Sequence, residues 1–381
     1  MEMAVATSKQ DTVSSVYSDA AKAPAGLCCP QPYQSELLAH VPKAALERNY
    51  GCGSPLLKAG LKSGEVVLDL GSGVGIDCFV AAKLVGAEGK VIGVDMTDSM
   101  LEEATRFNEE VAQKLGYDVV EFRKGVIEDL PVGDNSVDLV VSNCVINLSS
   151  RKTRVLQEIH RVLKPGGRLV ISDIVVDREI HPEDQDNETL WAECYTGAIP
   201  VGKLVTTYQD AGFLGLTQLS ESAWRELEGY NFVSLTLRAY KLPRSSDCLY
   251  SGNLAVYLGP YESVRDEEEH EFPRFKPVEV CDATAQRLRM GPYADSFTVV
   301  RIPSLARTAS TCGPGASCAP GSSCGQPATA SSGNSTSCCG STEGPPSAAI
   351  DQLKGTSSSC CETKAEPQGS SCCSGGGCDC N

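Results

Sequence analysis

The chain has 381 residues, 41% of them hydrophobic and 22% charged, which is enough for a sizeable core and for more than one domain. Its formal net charge of -16 opposes the phosphates of nucleic acid and the anionic face of a membrane, which are bound through Lys and Arg, so a small-molecule partner is expected. No stretch offers the roughly 18 apolar residues of a membrane span, and MEMAVATSKQDTVSS lacks the apolar core of a signal peptide; a cytoplasmic chain is predicted.

Residues 1–44 make an N-terminal segment with a vicinal pair, Cys28 and Cys29, on a Pro-rich stretch. NYGCGSP then sets Tyr50 and Cys52 at the start of a domain expected over 45–222. Within it EVVLDL (65–70), KVIGVD (90–95), VVEFRKG (119–125), VDLVVSN (137–143) and GRLVISD (167–173) read as strands, with helical stretches at 77–85, 98–115 and 151–163. Near-continuous apolar strands alternating with helices predict an α/β fold, a Rossmann-like parallel sheet covered on both faces. FVSLTLRAYKL and SFTVVRIP are strands without alternating helices, and 266–271 is an acidic loop, so a smaller C-terminal α+β domain is expected over 223–303. Residues 304–381 hold eleven of the nineteen cysteines and no Phe, Tyr or Trp, too little apolar surface to offset the entropy of ordering. They are expected to be a disordered Cys-rich tail, either without essential role or a pliable thiol sponge for soft ions.

VVLDLGSGVGIDCF puts Gly71, Ser72, Gly73 and Gly75 between the first strand and a helix, where glycines allow a tight turn and close approach of a ligand. Asp95 ends the next strand about 20 residues further on, where a carboxylate takes two ribose hydroxyls. Such a loop suits a dinucleotide or S-adenosylmethionine. Asp69, inside the strand, favours the second, because a cationic donor tolerates a carboxylate that a pyrophosphate would not. The spacing D-x-G-x-G-x-G and VLKPGGRLVISD (162–173) resemble the class I S-adenosylmethionine-dependent methyltransferases. That resemblance implies that Ile127 and Glu128 of GVIEDLP hold the adenine; Tyr50, Met96 and Asn143 complete the expected donor site.

Transfer to oxygen or nitrogen calls for a general base, and none of the four histidines suits. His160 lies in a helix as a packed or surface residue, His181 and His270 in charged loops expected to be exposed, and His40 before a Pro-containing bend. Sulfur occupies the place instead. Cys144 ends the fourth strand on the sheet edge that carries the glycine loop, Cys194 follows the fifth strand in NETLWAECYTGA, and Cys52 precedes the first strand. Cys78, Cys248 and Cys281 read as small apolar core residues. Fifty positions separate Cys144 from Cys194, unlike the close ligand pairs of structural zinc, and scattered single thiolates suit a three-coordinate thiophilic centre.

YGCG, SNCVINL, WAEC and the donor loop together resemble the arsenite methyltransferases over about 26–303. The resemblance implies that trivalent arsenic, as arsenite or methylarsenite, is held by Cys144 and Cys194 with Cys52, and that Cys52 and Cys28 are needed for full activity. Whether Cys28 or Cys29 is the matching thiol stays open. A redox cycle is implied too, in which one of that doublet pairs with Cys52 and thioredoxin or glutathione resets it. Thiolate-bound arsenic keeps a lone pair that can attack a methyl carbon without a base. An accessible donor site suits a monomer. Two other readings are a quinone- or sterol-type methyltransferase that shares the loop and LKPGG, and a soft-metal binding protein whose tail does the work.

Overall fold

The structure is a computed structural model that describes residues 2–22, 33–48, 50–244 and 249–306. A long helix, α1 (Glu2–Lys22), precedes three single turns, α2 (Ser35–Leu38), α3 (Lys43–Leu46) and α4 (Pro55–Lys58). Strand and helix then alternate through β1 (Val66–Leu70), α5 (Ile76–Val85), β2 (Lys90–Asp95), α6 (Asp98–Leu115), β3 (Val120–Lys124) and β4 (Val137–Asn143). Next come α7 (Lys152–Val162) and a long strand, β5 (Leu163–Val176). Two short helices, α8 (Pro182–Gln185) and α9 (Glu188–Ala192), and then α10 (Val201–Asp210) lead to the hairpin β6 (Leu214–Leu227) and β7 (Tyr230–Tyr240).

These seven strands form one sheet in the order β3-β2-β1-β4-β5-β7-β6. β1 to β5 are parallel, and β7 runs antiparallel to both β5 and β6. The winding direction reverses between β1 and β4, which opens a crevice beyond their carboxyl ends.

Alternate residues of each strand feed two cores. Val67, Val141 and Val170 pack with Phe79, Met100 and Phe107 on the α5–α6 side. Leu68, Val140 and Ile171 pack with Leu156, Ile159 and Phe213 on the α7–α10 side. Burial on both faces is why the strands read as apolar runs rather than as alternation. His160 belongs to the second layer, edge-on to Phe213 at 5.3 Å, and burial pushes its pKa down to about 4.

The expected boundary at residue 222/223 is displaced. FVSLTLRAYKL is β7, paired with β5 from Arg168–Tyr240 to Val176–Phe232, so it completes the main sheet. An edge hairpin needs only a tight turn, here Glu228 and Gly229 at φ 50 and 75°, so the loss of helical alternation did not mark a new domain. The smaller α+β part begins later, with β8 (Asn253–Tyr257), β9 (Ser263–Arg265), β10 (Glu271–Pro273), β11 (Pro277–Val280), α11 (Asp282–Leu288) and β12 (Phe297–Arg301). Its core is built from Ala255, Tyr257, Phe272, Val280 and Leu288. His270 is buried there, not exposed: the Asp266 carboxylate lies 2.9 Å from its Nδ1 and also accepts from buried Arg287. Burying that carboxylate requires both hydrogen-bonding partners, which the charged sequence of the loop does not reveal. Among the described residues no helix is long and apolar enough to cross a membrane. The tail from residue 307, and Cys248, lie outside the described residues.

Gly75 enters α5 at φ 93°, and a Cβ there would lie 2.6 Å from Phe122 and 2.9 Å from Phe79. Gly75→Ala is therefore expected to lower unfolding free energy by about 2–4 kcal/mol, overpacking combined with a left-handed alanine. Urea unfolding of the two proteins measures it.

Candidate active site

A cavity opens at the switch point, and the glycine loop forms its floor. The loop is set by backbone needs. Gly71 has φ 66°, and a Cβ on it would meet Val145 at 2.5 Å, so the turn after β1 closes directly on the segment after β4. Asp95 orders the loop from the side. Its carboxylate accepts the N–H of Gly73 and that of Thr97, each at 2.9 Å. Gly71, Ser72 and Gly73 line the cavity, as do Asp69, Asp95, Met96, Ile127, Glu128, Tyr50 and Asn143. Gly75 does not; its part is steric, at the entry of α5.

Besides Glu128, three aspartates face this space: Asp69, Asp77 and Asp95. Burial raises the pKa of each, and for Asp69 the neighbouring Asp77 and Asp95 raise it further. The Cys78 thiol donates to Asp69 at 3.3 Å, and the Tyr33 hydroxyl donates to Asp77. A cation placed in the cavity would relieve the repulsion, and an anion would add to it. Ser72 Oγ is buried with no partner among the described residues, so a polar ligand has a hydroxyl to engage. Glycine loop, carboxylates and hydroxyl fit the predicted donor, a cationic nucleoside.

Cys144 lies on the rim of the same cavity. It has φ 59°, in the left-handed region that non-glycine residues rarely adopt, and Cys194 has φ 69°. Such conformations persist where the surroundings over-determine them. For Cys144 the surroundings are clear. Its N–H bonds Ser172 O at 2.8 Å, and the Asp173 carboxylate accepts from Asn147 N at 3.2 Å and Ile174 N at 2.8 Å. The Asn147 amide donates to Ile174 O at 2.6 Å. Lys152 ties the same loop down through Ser149 O at 2.9 Å. Burial pushes Asp173 up to about 6 and Lys152 down to about 8.

Asn143 brings Cys52 to this place. Its side-chain oxygen accepts from Cys52 N at 3.0 Å and Gly53 N at 3.2 Å, and its nitrogen donates to Gly53 O at 2.8 Å. The glycines of NYGCGSP make the approach possible: a Cβ on Gly51 would lie 2.5 Å from Asn143, and one on Gly53 2.5 Å from Ser172. Cys52 is joined to Cys144 in a disulfide with Cα atoms 5.9 Å apart. Cys52 pairs here with Cys144, whereas Cys28 and Cys29, the partners expected for it in the redox cycle, lie outside the described residues.

Cys194 follows α9 and closes on the other side, its thiol donating to Cys144 O at 2.9 Å. Cys52, Cys144 and Cys194 share one apolar cluster with Tyr195, Tyr230 and Phe232. Ligand atoms of Cys52, Cys144 and Asp173 lie within 4.8 Å of one another. Asp173 was not among the predicted site residues; its signal was a carboxylate at the end of an apolar strand. None of the four histidines lines the cavity.

Helix α1 was missed altogether. Gln10, Val13 and Tyr17 line the cavity, and Gln10 Nε2 donates to Glu128 at 3.4 Å. Tyr50 OH donates to Ala20 O at 3.3 Å. The segment expected as a separate 1–44 stretch is therefore part of the site. Val13, Val16, Tyr17 and Ala20 recur at the helical spacing that would have revealed it.

Residues 61–224 match a family model described as a methyltransferase domain, and 244–328 one described as a domain of unknown function. The chain is 36% identical over 312 residues to the arsenite methyltransferase of Aquipseudomonas alcaligenes, covering 78% of this chain and 88% of that protein. It is 33% identical over 295 residues to the human arsenite methyltransferase, covering 73% and 77%. The crystal structure of an arsenic(III) S-adenosylmethionine methyltransferase from Chlamydomonas reinhardtii superposes with a TM-score of 0.56 at 35% identity, over 74% of this chain and 99% of that one.

Gly197 lies against the Cys144 loop, where a Cβ would sit 1.9 Å from Asn147 O. Gly197→Ala must push the Cys194 arm off that loop. A loss of roughly 1–3 kcal/mol in urea unfolding is expected.

Proposed function

The chain belongs to the arsenite methyltransferase family, and on that premise we propose that Cys144 and Cys194, with Cys52, bind trivalent arsenic for methylation by S-adenosylmethionine. The observation that carries this reading is the gathering of three distant cysteines in one apolar cluster, with Cys144 on the rim of the donor cavity itself.

Capture needs no side-chain base. Each thiol that displaces a hydroxyl from arsenite forms an As–S bond and releases one water, which carries the thiol proton away. This agrees with a cavity lined by no histidine. S-adenosylmethionine, when bound, supplies an electrophilic methyl group whose transfer to the arsenic lone pair takes arsenic from the trivalent to the pentavalent state. Gly71, Gly73 and Asp95 would hold this donor, and Asp69 and Asp77 would favour its positive charge. The chain's own contribution is positioning, which can supply ~7–11 kcal/mol of a barrier when reacting groups are held in place. Left-handed backbone at Cys144 and Cys194, fixed by Asp173 and Asn147, serves that end.

Arsenic returns to the trivalent state when the sulfurs of Cys52 and Cys144, already bound to it without their protons, leave it and join as a disulfide: two As–S bonds break, one S–S bond forms, arsenic keeps one electron pair, and a water that fills the vacated position releases one proton. Closing it leaves the methylated product on Cys194 alone, where water or an external thiol replaces the As–S bond and the Cys194 sulfur takes up the proton. Two external thiol groups, of the thioredoxin or glutathione type, must then reopen the bond before the next capture. A cytoplasmic, monomeric enzyme is part of the same proposal.

With reductant present, Cys144→Ser is expected to cut arsenite methylation by roughly 10²-fold or more, since the reacting atom loses a fixed ligand. Binding of S-adenosylhomocysteine, measured by calorimetry, should change less than about twofold, because Gly71, Gly73 and Asp95, proposed to hold the donor, are left untouched. Undiminished arsenite turnover in this variant would overturn the ligand role of Cys144.

A further inference from the structure

Helix α1 touches both the donor cavity and the arm that carries Cys194. Gln10, Val13 and Tyr17 line the cavity. Toward the arm, Thr12 Oγ1 donates to Glu188 at 2.9 Å, Lys9 Nζ donates to Gln185 O at 3.0 Å, and the same ammonium sits 3.8 Å from the centre of the Trp191 ring.

Trp191 is where these contacts meet. It is 5% exposed and packs with Val13 and Ala192, against which Met96 of the donor rim and Leu148 of the Cys144 loop also pack. Its indole N–H donates to Leu148 O at 3.2 Å, and its own carbonyl accepts the N–H of Cys194 at 2.9 Å. Each substrate site therefore shares a buried wall with the other, and α1 forms part of that wall for both.

We infer that α1 makes donor and arsenic binding interdependent: Gln10, Val13 and Tyr17 are further donor-positioning residues, and the Lys9 and Thr12 contacts with the 185–191 arm link donor occupancy to the placement of Cys194. The inference rests on the assignment of the two sites proposed above. The physical ground is a shared element. A ligand that fixes α1 against the cavity also fixes its opposite face against the arm, so the second ligand meets a site already ordered. By linkage the effect is reciprocal, and couplings between sites typically amount to about 5- to 150-fold in affinity.

The test uses the full chain, reduced, with S-adenosylhomocysteine titrated calorimetrically with and without saturating arsenite. In the wild type, arsenite should tighten binding by at least about fivefold. Tyr17→Ala should weaken it by about tenfold without arsenite, and Gln10→Ala, which removes only a rim contact, by about threefold; thermal melting confirms that both remain folded. The double variant Lys9→Met, Thr12→Val keeps the cavity lining, so its affinity without arsenite should stay within about twofold while the arsenite effect falls below twofold. Equal affinity with and without arsenite in the wild type overturns the inference, as does unchanged affinity in both Tyr17→Ala and Gln10→Ala. Arsenic capture is read separately, from tryptophan emission in a Trp224→Phe background. A response to arsenite that Cys194→Ser abolishes upholds the assignment of Cys194 even where the coupling is absent; no response would instead overturn that assignment.

Discussion

The Asn143 side chain holds Cys52 beside Cys144 at the edge of the cavity. Its amide spans the Gly51–Gly53 backbone by accepting two N–H groups and donating to one carbonyl, and that grip fixes Cys52 at the end of β4. The next residue in the chain is Cys144. A single register position thus sets two of the three thiols, and it does so at the edge where the winding of the sheet reverses. A shift of one residue in β4 would turn Asn143 away and bury Cys144 elsewhere, because strand side chains alternate between faces. Apolar Val137 and Leu139 to Val141 protect the register, and their burial on both faces penalises any slip.

Charge is divided sharply between the two halves of the site. On the donor side, burial raises the pKa of Asp69, Asp77 and Asp95, and the two neighbours raise that of Asp69 further, an arrangement that costs stability until a cation arrives. On the acceptor side the walls are Tyr195, Tyr230, Phe232 and Ile174, with Asp173 turned toward backbone N–H groups. The cavity can therefore attract a sulfonium without offering the thiols an equally charged neighbourhood. The stability lost to carboxylate repulsion would be recovered on binding of the proposed cationic donor, as expected where strain is held at a functional site.

Much of this was legible in the residues. The parallel strands announced themselves as apolar runs, and the D-x-G-x-G-x-G loop with Asp95 located the cavity, because turn glycines and a strand-end carboxylate have few other uses together. SNCVINL located Cys144. What stayed hidden depends on distance in space. Gly75 looked like the other loop glycines, yet its freedom is spent against Phe122 and Phe79, which no local pattern announces. The β6–β7 hairpin looked like a second domain because antiparallel strands need no crossover helix. His270 looked exposed among acids, but Arg287, nearly twenty positions away, makes burial of the group possible. Asn143 was read as a donor contact from its place on the strand; that its amide grips Cys52 required knowing where a segment 91 residues earlier comes to lie. The stripe of Val13, Val16, Tyr17 and Ala20 was written in the sequence, but with polar residues between and no capping signal it carried little weight.

The apolar character of the thiol cluster would account for the selectivity proposed for it. A hard divalent cation bound there would remain charged and hydrated, and moving it among Tyr195, Phe232 and Ile174 would forfeit hydration that one carboxylate and two or three thiols cannot replace. Zinc, which binds thiolates well, also needs four ligands and leaves net charge on the centre. Trivalent arsenic bonded to three sulfur atoms is neutral and already satisfied at three-coordination, so burial imposes no comparable cost. The same walls exclude water from As–S bonds that water would hydrolyse. Softness of ligand, coordination number and local dielectric all point to one substrate class, and each of the three is a consequence of where Asn143 and Asp173 hold the chain.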